Sequence, residues 1–334
     1  MRTARTTLAG LLTRREWLRA LGGATAAAML PVASAQAADW PTRPVSVIVP
    51  YAAGGFSDVL ARLSAKYLSE KLGQPFVVEN RPGAGGGIGA TLVANARPDG
   101  YTLLFGSASQ FGAAPLIQKI NYDPDAFVPI AIFGKIPFLL AVNSAFPGDD
   151  LAGFIKAAKT LGRPVNASNS GFGATSHLLV AAFAAHAGFE TTPVSYKGSA
   201  PSAAAVMQGD VDMTWAGVSE VTPIMSSNKV KILAVSAEKR IPSHPNVPSV
   251  SETLPGFYLQ TWNGYFGPPG TPKQIVDLVA KSIRDAATEP DIRQRLIDLG
   301  IDPITTTPSE TAAIIQSDKA FYRKTVDAAG LKPQ

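Results

Sequence analysis

The stretch VSVIVPYAAGGFSDVLARLSAKYLSEKLG, residues 45–73, joins a buried strand to an amphipathic helix through a glycine-bearing turn. Residues 45–49 form an almost continuous apolar run that Pro50 ends, which is typical of a strand covered on both faces. Apolar residues then recur at helical spacing until Gly73, a common helix stop signal. A strand that feeds directly into a helix predicts the repeating unit of a parallel, doubly wound sheet.

The same alternation continues along the chain and then starts again. Apolar runs at 76–79, 101–105 and 138–142 predict further strands, with a helix ending near residue 96 between the first two. A second alternation begins at the run 165–167. Capping-box spacing at 271–274 and at 307–310, each with a proline after the threonine, predicts two terminal helices. The fold class is therefore α/β.

The terminal helices need a sheet to cover, and the simplest arrangement returns the chain to the first sheet. We therefore predict a discontinuous first lobe of residues 38–142 and 260–334, and an inserted second lobe of residues 143–259. Two crossings between two lobes make a hinge, and the cleft between lobes is the default ligand site.

The first 37 residues have the order of an export signal. TRREWLR at 13–19 matches a twin-arginine motif, and the apolar stretch 20–32 is too short for a typical membrane span. ASAQA at 33–37 offers small-residue cleavage sites, so we predict cleavage after Ala37 and a soluble periplasmic protein. The alternatives are the general export route, or an amphipathic N-terminal helix with a chance arginine pair.

Composition excludes several classes of site. The 334 residues include no Cys and three His, which excludes thiol chemistry and disulfides and disfavours a His-built metal centre. The net charge of +5 belongs mostly to residues 1–37, so a nucleic-acid footprint is not supported. No Gly-x-Ser-x-Gly, His-Glu-x-x-His or Walker motif occurs, and the loose glycine motif at 85–90 is ascribed to chance. We expect no catalytic residue, no metal and no cofactor.

Three predicted strand ends lead into glycine- and serine-rich loops that open helices. They are GGFSD at 54–58, SGFGATS at 170–176 and KGS at 197–199. In a doubly wound sheet such loops lie where ligands bind, and helix N-termini there present free N–H groups and a positive dipole end. This predicts a site for a carboxylate that needs no basic side chain. Ordinary tight turns with helix caps remain the alternative, with Ser57 or Asp58 capping the first helix and His177 a neutral structural residue.

The order and spacing of many short motifs resemble the Bug family, the extracytoplasmic solute-binding proteins of tripartite tricarboxylate transporters. The likeness covers nearly the whole chain after the leader. The matching pieces are residues 40–44, 49–58, 78–86, 98–104, 168–178, 196–200, 209–212, 239–240, 245–248 and 269–272. One departure is Tyr51, where the family usually has Phe after the proline, and we expect it to change little.

The resemblance implies a type II periplasmic-binding-protein fold whose two lobes close on a small carboxylate. The acid would be a di- or tricarboxylate or an aromatic carboxylate, and the partners would be the membrane subunits of such a transporter, with the receptor itself a monomer. The alternatives are an exported enzyme on a related fold and a ligand sensor for a membrane kinase. Carried over to this chain, the implied ligand-binding residues are Gly54, Gly55, Phe56, Ser57, Asp58, Ser107, Ser109, Ser170, Gly171, Gly173, Ala174, Thr175, Ser176, Trp215, Ala216 and Gly217.

Overall fold

The computed structural model of the protein describes residues 40–331. The predicted export signal at 1–37 lies outside the described residues. Within the described part, no helix is both long and apolar enough to cross a bilayer.

Ten strands and ten α-helices carry the fold of this described part. The strands are β1 (Val45–Val49), β2 (Phe76–Asn80), β3 (Thr102–Ser107), β4 (Val128–Ile136), β5 (Leu139–Asn143), β6 (Val165–Asn169), β7 (Thr191–Ser195), β8 (Met213–Ala216), β9 (Val230–Val235) and β10 (Thr261–Gly267). The helices are α1 (Phe56–Leu72), α2 (Gly87–Ala94), α3 (Ala114–Ile117), α4 (Leu151–Thr160), α5 (Thr175–Ala187), α6 (Ser199–Gln208), α7 (Val218–Met225), α8 (Lys273–Thr288), α9 (Pro290–Asp298) and α10 (Pro308–Ala328).

The strands form two five-stranded sheets, one in each lobe. Their orders are β2-β1-β3-β10-β4 and β7-β6-β8-β5-β9. The expected βα units are present, because β1 pairs in parallel with β2 and β3, and β6 does so with β7 and β8. The parallel arrangement expected from the alternation holds for these strands, whereas β10 and β5 are antiparallel to both of their neighbours. Each of these is the strand on which the chain enters a lobe from the other lobe, and it therefore runs against the parallel set.

The two crossings lie beside one another and share a buried serine. Strand β5 pairs in the second sheet, so the first crossing is at residues 137–138 rather than at the expected 142/143 boundary. The second precedes β10, close to the expected residue 260. Ser236 Oγ accepts the Phe138 N–H at 2.9 Å and donates to the Leu259 carbonyl at 2.6 Å. One fully buried hydroxyl thus holds both crossing segments.

The terminal helices pack on the first sheet. Helix α8 packs on β4 and α1, and α10 packs on β4. Helix α10 also contacts α5 of the second lobe. The last helix therefore touches both halves of the molecule.

Candidate functional site

Loops of both lobes meet at the carboxyl ends of the parallel strands. The Ala52 amide of the first lobe donates to the Lys197 carbonyl of the second at 3.0 Å. The Phe56 amide, at the start of α1, donates to Glu220 Oε1 of α7. The three glycine- and serine-rich loops singled out in the sequence therefore lie at one interface.

Asp58 shapes the first of these loops. Its carboxylate accepts hydrogen bonds from the Gly54 amide at 3.0 Å and from Asn80 Nδ2 at 2.9 Å, and it pairs with Arg62. Burial acts to raise the pKa of Asp58, but the bonds from Arg62, Gly54 and Asn80 outweigh it and hold the pKa below its usual value. Asp58 is an ionised brace of the loop.

The N-terminus of α1 has no side-chain cap. Its capping residue is Gly55, so the expectation that Ser57 or Asp58 caps the helix is wrong. Ser57 instead bonds Asn263 Oδ1 at 3.3 Å. The first amides of α1 are therefore left for other acceptors, and Phe56 uses its own for Glu220. Gly54 is exposed, with a φ of +83° that favours glycine.

Ser107 and Ser109 belong to a dense cluster of buried hydroxyl and amide groups. The Tyr51 hydroxyl lies 3.0 Å from Ser107 Oγ and 2.5 Å from Ser109 Oγ, and Gln110 Nε2 donates to it at 3.0 Å. Gln110 Nε2 also donates to the Gly85 carbonyl at 3.1 Å. The cluster joins the ends of β1 and β3 to the turn before α2. The expectation that Tyr51 changes little is wrong, because its hydroxyl lies at the centre of the cluster.

The loop 170–176 is closed on itself by serines. Ser176 Oγ accepts the Ser170 amide at 2.9 Å and lies 2.8 Å from Ser170 Oγ. Thr175 reaches across to the first lobe, where its hydroxyl lies 3.4 Å from that of Thr261. Asn169, which the sequence reasoning missed, accepts the Gly171 amide at 3.0 Å, while its buried Nδ2 finds no partner among residues 40–331.

Glycines of the two lobes touch directly. A Cβ at Gly171 would lie 3.2 Å from both Cα and N of Gly85, and a Cβ at Gly85 would collide with the Phe172 carbonyl. Gly173 is as tight, since a Cβ there would lie 2.8 Å from Gln118 Nε2. The glycine-rich turn at 84–86, to which the sequence analysis assigned no role, is therefore part of the lobe interface.

Residues 215–217, at the end of β8 and directly after it, divide between the core and the interface. Trp215 and Ala216 are buried in the second lobe, where the Trp215 ring packs edge-on against Phe183 with centroids 5.3 Å apart. Within the described residues Trp215 Nε1 has no hydrogen-bond partner. Gly217 lies at the interface, since a Cβ there would be 2.6 Å from Glu220 Oε2 and 3.1 Å from the Phe56 ring.

The site is lined by neutral groups apart from two carboxylates. Lys197 is exposed and contributes its carbonyl to the interface. Burial lowers the pKa of His177 to about 4, so that imidazole is neutral at physiological pH, as expected for a structural residue. Burial raises the pKa of Glu220 to about 7, against hydrogen bonds from Phe56 and Ser219 that lower it. The sequence reasoning missed Glu220, which lies in the first turn of α7 and belongs to no motif.

Two adjoining cavities of about 440 and 300 Å³ lie elsewhere, between α10 and the segment that leads into β10. Tyr258, Leu259 and Phe321 line both. The larger cavity has a largely apolar wall, whereas Lys135 and Asp318 line the smaller one, and neither contains the amide-rich helix ends of the interlobe loops. The interlobe loops therefore remain the candidate site for an anion.

Two α/β lobes joined by two crossings, with backbone amides and hydroxyls at the strand ends between them, define a two-lobed solute-binding protein. Solved structures share this fold. The chain is 32% identical to R. palustris Rpa4515 with adipate (TM-score 0.85, covering 88% of this chain and 100% of that one). It is 33% identical to the periplasmic binding protein BugD (TM-score 0.84, 88% and 100%). It is 34% identical to MatC from Rhodopseudomonas palustris with bound malate (TM-score 0.80, 86% and 100%).

The sequence comparisons identify the family. Residues 60–331 match the model of the tripartite tricarboxylate transporter family receptor. A UPF0065 protein of Bordetella bronchiseptica is 34% identical over 306 residues, which cover 91% of each chain. The chain belongs to the tripartite tricarboxylate transporter receptor family. The resemblance stated from the motifs and the two-lobed binding-protein fold are both confirmed.

Proposed function

We propose that this protein is a periplasmic receptor that captures a small carboxylic acid between its lobes and presents it to the membrane subunits of a tripartite tricarboxylate-type transporter. The observation that carries the proposal is the meeting of uncapped helix amides and serine hydroxyls of both lobes at one interface. Such groups bind a carboxylate through hydrogen bonds and the helix dipole. Family membership supports the proposal, as do the adipate and malate in the structures of Rpa4515 and MatC.

The contacts that support this site come from both sides of the interface. We propose that the amides of residues 54–58 and of loop 170–176 hold the acid, while Gly217 leaves room for it. Ser107 and Ser109 contribute through the Tyr51 cluster, which sets the position of the β1 and β3 ends. Asp58 acts by bracing the loop, and Trp215 and Ala216 act by packing beneath it.

The remaining parts of the proposal concern location and chemistry. The leader at 1–37 supports export and cleavage, after which the protein works as a soluble monomer in the periplasm. Binding requires no nucleophile and no general base, so we propose capture and release of the acid without turnover.

A ligand screen on the chain that starts at residue 38 tests the proposal. Adipate, malate and an aromatic dicarboxylate serve as probes, with adipamide as the uncharged control. A bound acid raises apparent stability by about 2.7 kcal/mol at a hundred times its Kd. We expect thermal shifts with at least one acid and none with the diamide, confirmed by calorimetry. Absence of binding by every acid would contradict the proposal, and consumption of the acid, seen by mass spectrometry, would favour the enzyme alternative.

Two serine variants, one at the proposed site and one away from it, test the location of the site. Ser176→Ala removes the acceptor of the Ser170 amide at the interface. Ser282→Ala, the control, removes a buried serine of α8 that bonds the Leu278 carbonyl at 2.9 Å. We expect Ser176→Ala to weaken acid binding about tenfold, the equivalent of one hydrogen bond, and Ser282→Ala to leave binding unchanged. Equal affinities of the two variants would place the acid elsewhere.

A further inference from the structure

A carboxylate of the protein itself occupies the end of the helix that is proposed to receive the ligand. Glu220 of α7 is 6% exposed, and its Oε1 accepts the Phe56 amide of the opposite lobe. Its Oε2 accepts the Ser219 hydroxyl at 3.0 Å. A Cβ at Gly55 would lie 3.4 Å from Oε1 and one at Gly217 would lie 2.6 Å from Oε2, so two glycines make room for this side chain.

The described surroundings of Glu220 provide no compensating charge. Helix α6 has no titratable side chain, and α7 has no other. On α1, Asp58 is paired with Arg62. Lys197 points its charge to solvent, and Lys231 of β9 donates to two backbone carbonyls before α4. The hydrogen bonds to Glu220 all come from neutral donors, and burial raises its pKa to about 7.

Two carboxylates cannot both stay ionised at one desolvated helix end. Like charges at short range raise the pKa of one of the pair, which then holds the proton. A protonated Glu220 keeps an oxygen for the Phe56 amide and gains an O–H that can donate to a ligand oxygen. The proton comes from an acid in the solvent, whose bond to that proton breaks as the O–H bond of Glu220 forms.

We propose that Glu220 is a specificity-determining residue, which admits a ligand carboxylate to the N-terminus of α1 by taking up one proton. The site then carries a single negative charge shared between the ligand and Glu220. This inference rests on the proposed function, since it requires that an acid bind at these loops.

Calorimetry of adipate binding tests the inference. Above about pH 6.5 the carboxyls of adipate are ionised, so any proton taken up belongs to the protein. In wild-type protein we expect affinity to fall about tenfold per pH unit above neutrality, with up to one proton taken up, as measured in buffers of different ionisation enthalpy. Glu220→Gln should bind with a flat pH profile and no proton uptake. Glu238→Gln, which removes an exposed charge, should behave as wild type.

A ligand-free measurement tests the proton itself. The infrared spectrum of the wild-type protein should show a carboxylic-acid C=O band that disappears as the pH rises through neutrality, and the band should be missing from Glu220→Gln. This titration needs only wild-type protein if the variant fails to fold.

Three results would overturn the inference. Equal pH profiles in wild type and Glu220→Gln would show that the ligand displaces Glu220 as an anion. Tighter binding of adipate with rising pH would show that the complex does not require a proton on Glu220. An infrared band whose intensity does not change with pH would show that Glu220 does not lose a proton in this range. In each case the proposed function stands if acids bind, whereas failure of every acid to bind either protein would end both proposals.

Discussion

Two buried carboxylates next to the start of α1 show how neighbours decide the charge of a residue. Asp58 is 4% exposed and Glu220 is 6% exposed. Asp58 has the guanidinium of Arg62 and two neutral donors, which hold its pKa below the usual value. Glu220 has only neutral hydrogen-bond donors, so the effect of burial dominates and raises its pKa. The two pKa values shift in opposite directions because Glu220 is the more deeply desolvated group and lacks the positive partner that offsets this cost at Asp58.

The raised pKa of Glu220 predicts a pH dependence of stability. The folded pKa of about 7 lies above the ordinary value of 4.5, so the folded state holds the proton more tightly. The stabilisation is complete below about pH 4.5 and is lost as the pH rises through 7, by roughly 3 kcal/mol. We expect urea unfolding of wild type and Glu220→Gln to differ by this amount between pH 4.5 and 8, with wild type losing stability faster. Parallel pH curves would contradict the shift.

At the scale of elements, two similar sequence patterns gave two different helix starts. Thr307 and Glu310 form the predicted capping box of α10, with the Thr307 amide donating to Glu310 Oε2 at 2.7 Å. The same spacing at 271–274 does not cap α8. Thr271 Oγ1 donates to the Pro268 carbonyl at 2.8 Å, and the capping residue is Pro272. The Pro268 carbonyl takes the hydrogen bond of the Thr271 hydroxyl, and the sequence pattern does not show this competition.

The capping box of α10 predicts a stability difference within one helix. Thr307→Ala should lower the free energy of unfolding by about 1 kcal/mol, since it leaves the Glu310 amide without its cap. Thr307→Ser keeps a hydroxyl at this position and should therefore lose much less stability. Thr325→Ala, the control, removes a mid-helix hydroxyl that bonds the Phe321 carbonyl and should be neutral or slightly stabilising. Urea unfolding measures all three. Equal losses from Thr307→Ala and Thr325→Ala would argue against the cap.

At the scale of the whole molecule, the approach of the lobes depends on positions without side chains. Gly85 and Gly171 meet backbone to backbone, with φ values of +59° and +136°. Ser236 holds both crossings. For the proposed capture of an acid between the lobes, we expect the Ser236 segments to act as the pivot and the glycine contact to limit how near the loops of the two lobes approach.

Gly85→Ala should keep the lobes apart. Its Cβ would collide with the Phe172 carbonyl and lie 3.1 Å from the Ala174 amide. Gly73→Ala is the matched control, with a φ of +73° and no described atom within 4 Å of its Cβ. Both should lose about 1 kcal/mol of stability through backbone strain. In solution X-ray scattering with adipate, Gly85→Ala alone should show a larger radius of gyration. Matching profiles for the two variants would show that this contact does not limit closure.

Much of the architecture could be predicted from local patterns. The βα units around β1 and β6 follow from apolar runs that end in glycine-bearing turns. The helix stop at Gly73 adopts the expected left-handed conformation. The antiparallel direction of β5 and β10 could not be predicted. Each is the strand on which the chain enters a lobe from the other lobe, and local patterns do not show where the chain crosses.

The candidate site was likewise predicted only in part. The loops at 54–58 and 170–176 were found because glycine and serine at a strand–helix junction are visible in the sequence. Tyr51 and Glu220 were missed, since each gains its role from a partner far along the chain, such as Phe56 for Glu220 at a separation of 164 residues. Asn169 was missed in the same way, since its Oδ1 also accepts the Ser195 hydroxyl, 26 residues further along the chain.

The amino-acid sequence by itself determined the α/β class, the family and the loops that carry backbone amides, because these depend on periodicity, turn residues and short motifs. Only the tertiary structure decided the strand directions, the place of the crossings and the raised pKa of Glu220. Those properties depend on burial and on contacts between distant residues, and neither exists until the two lobes have folded against each other.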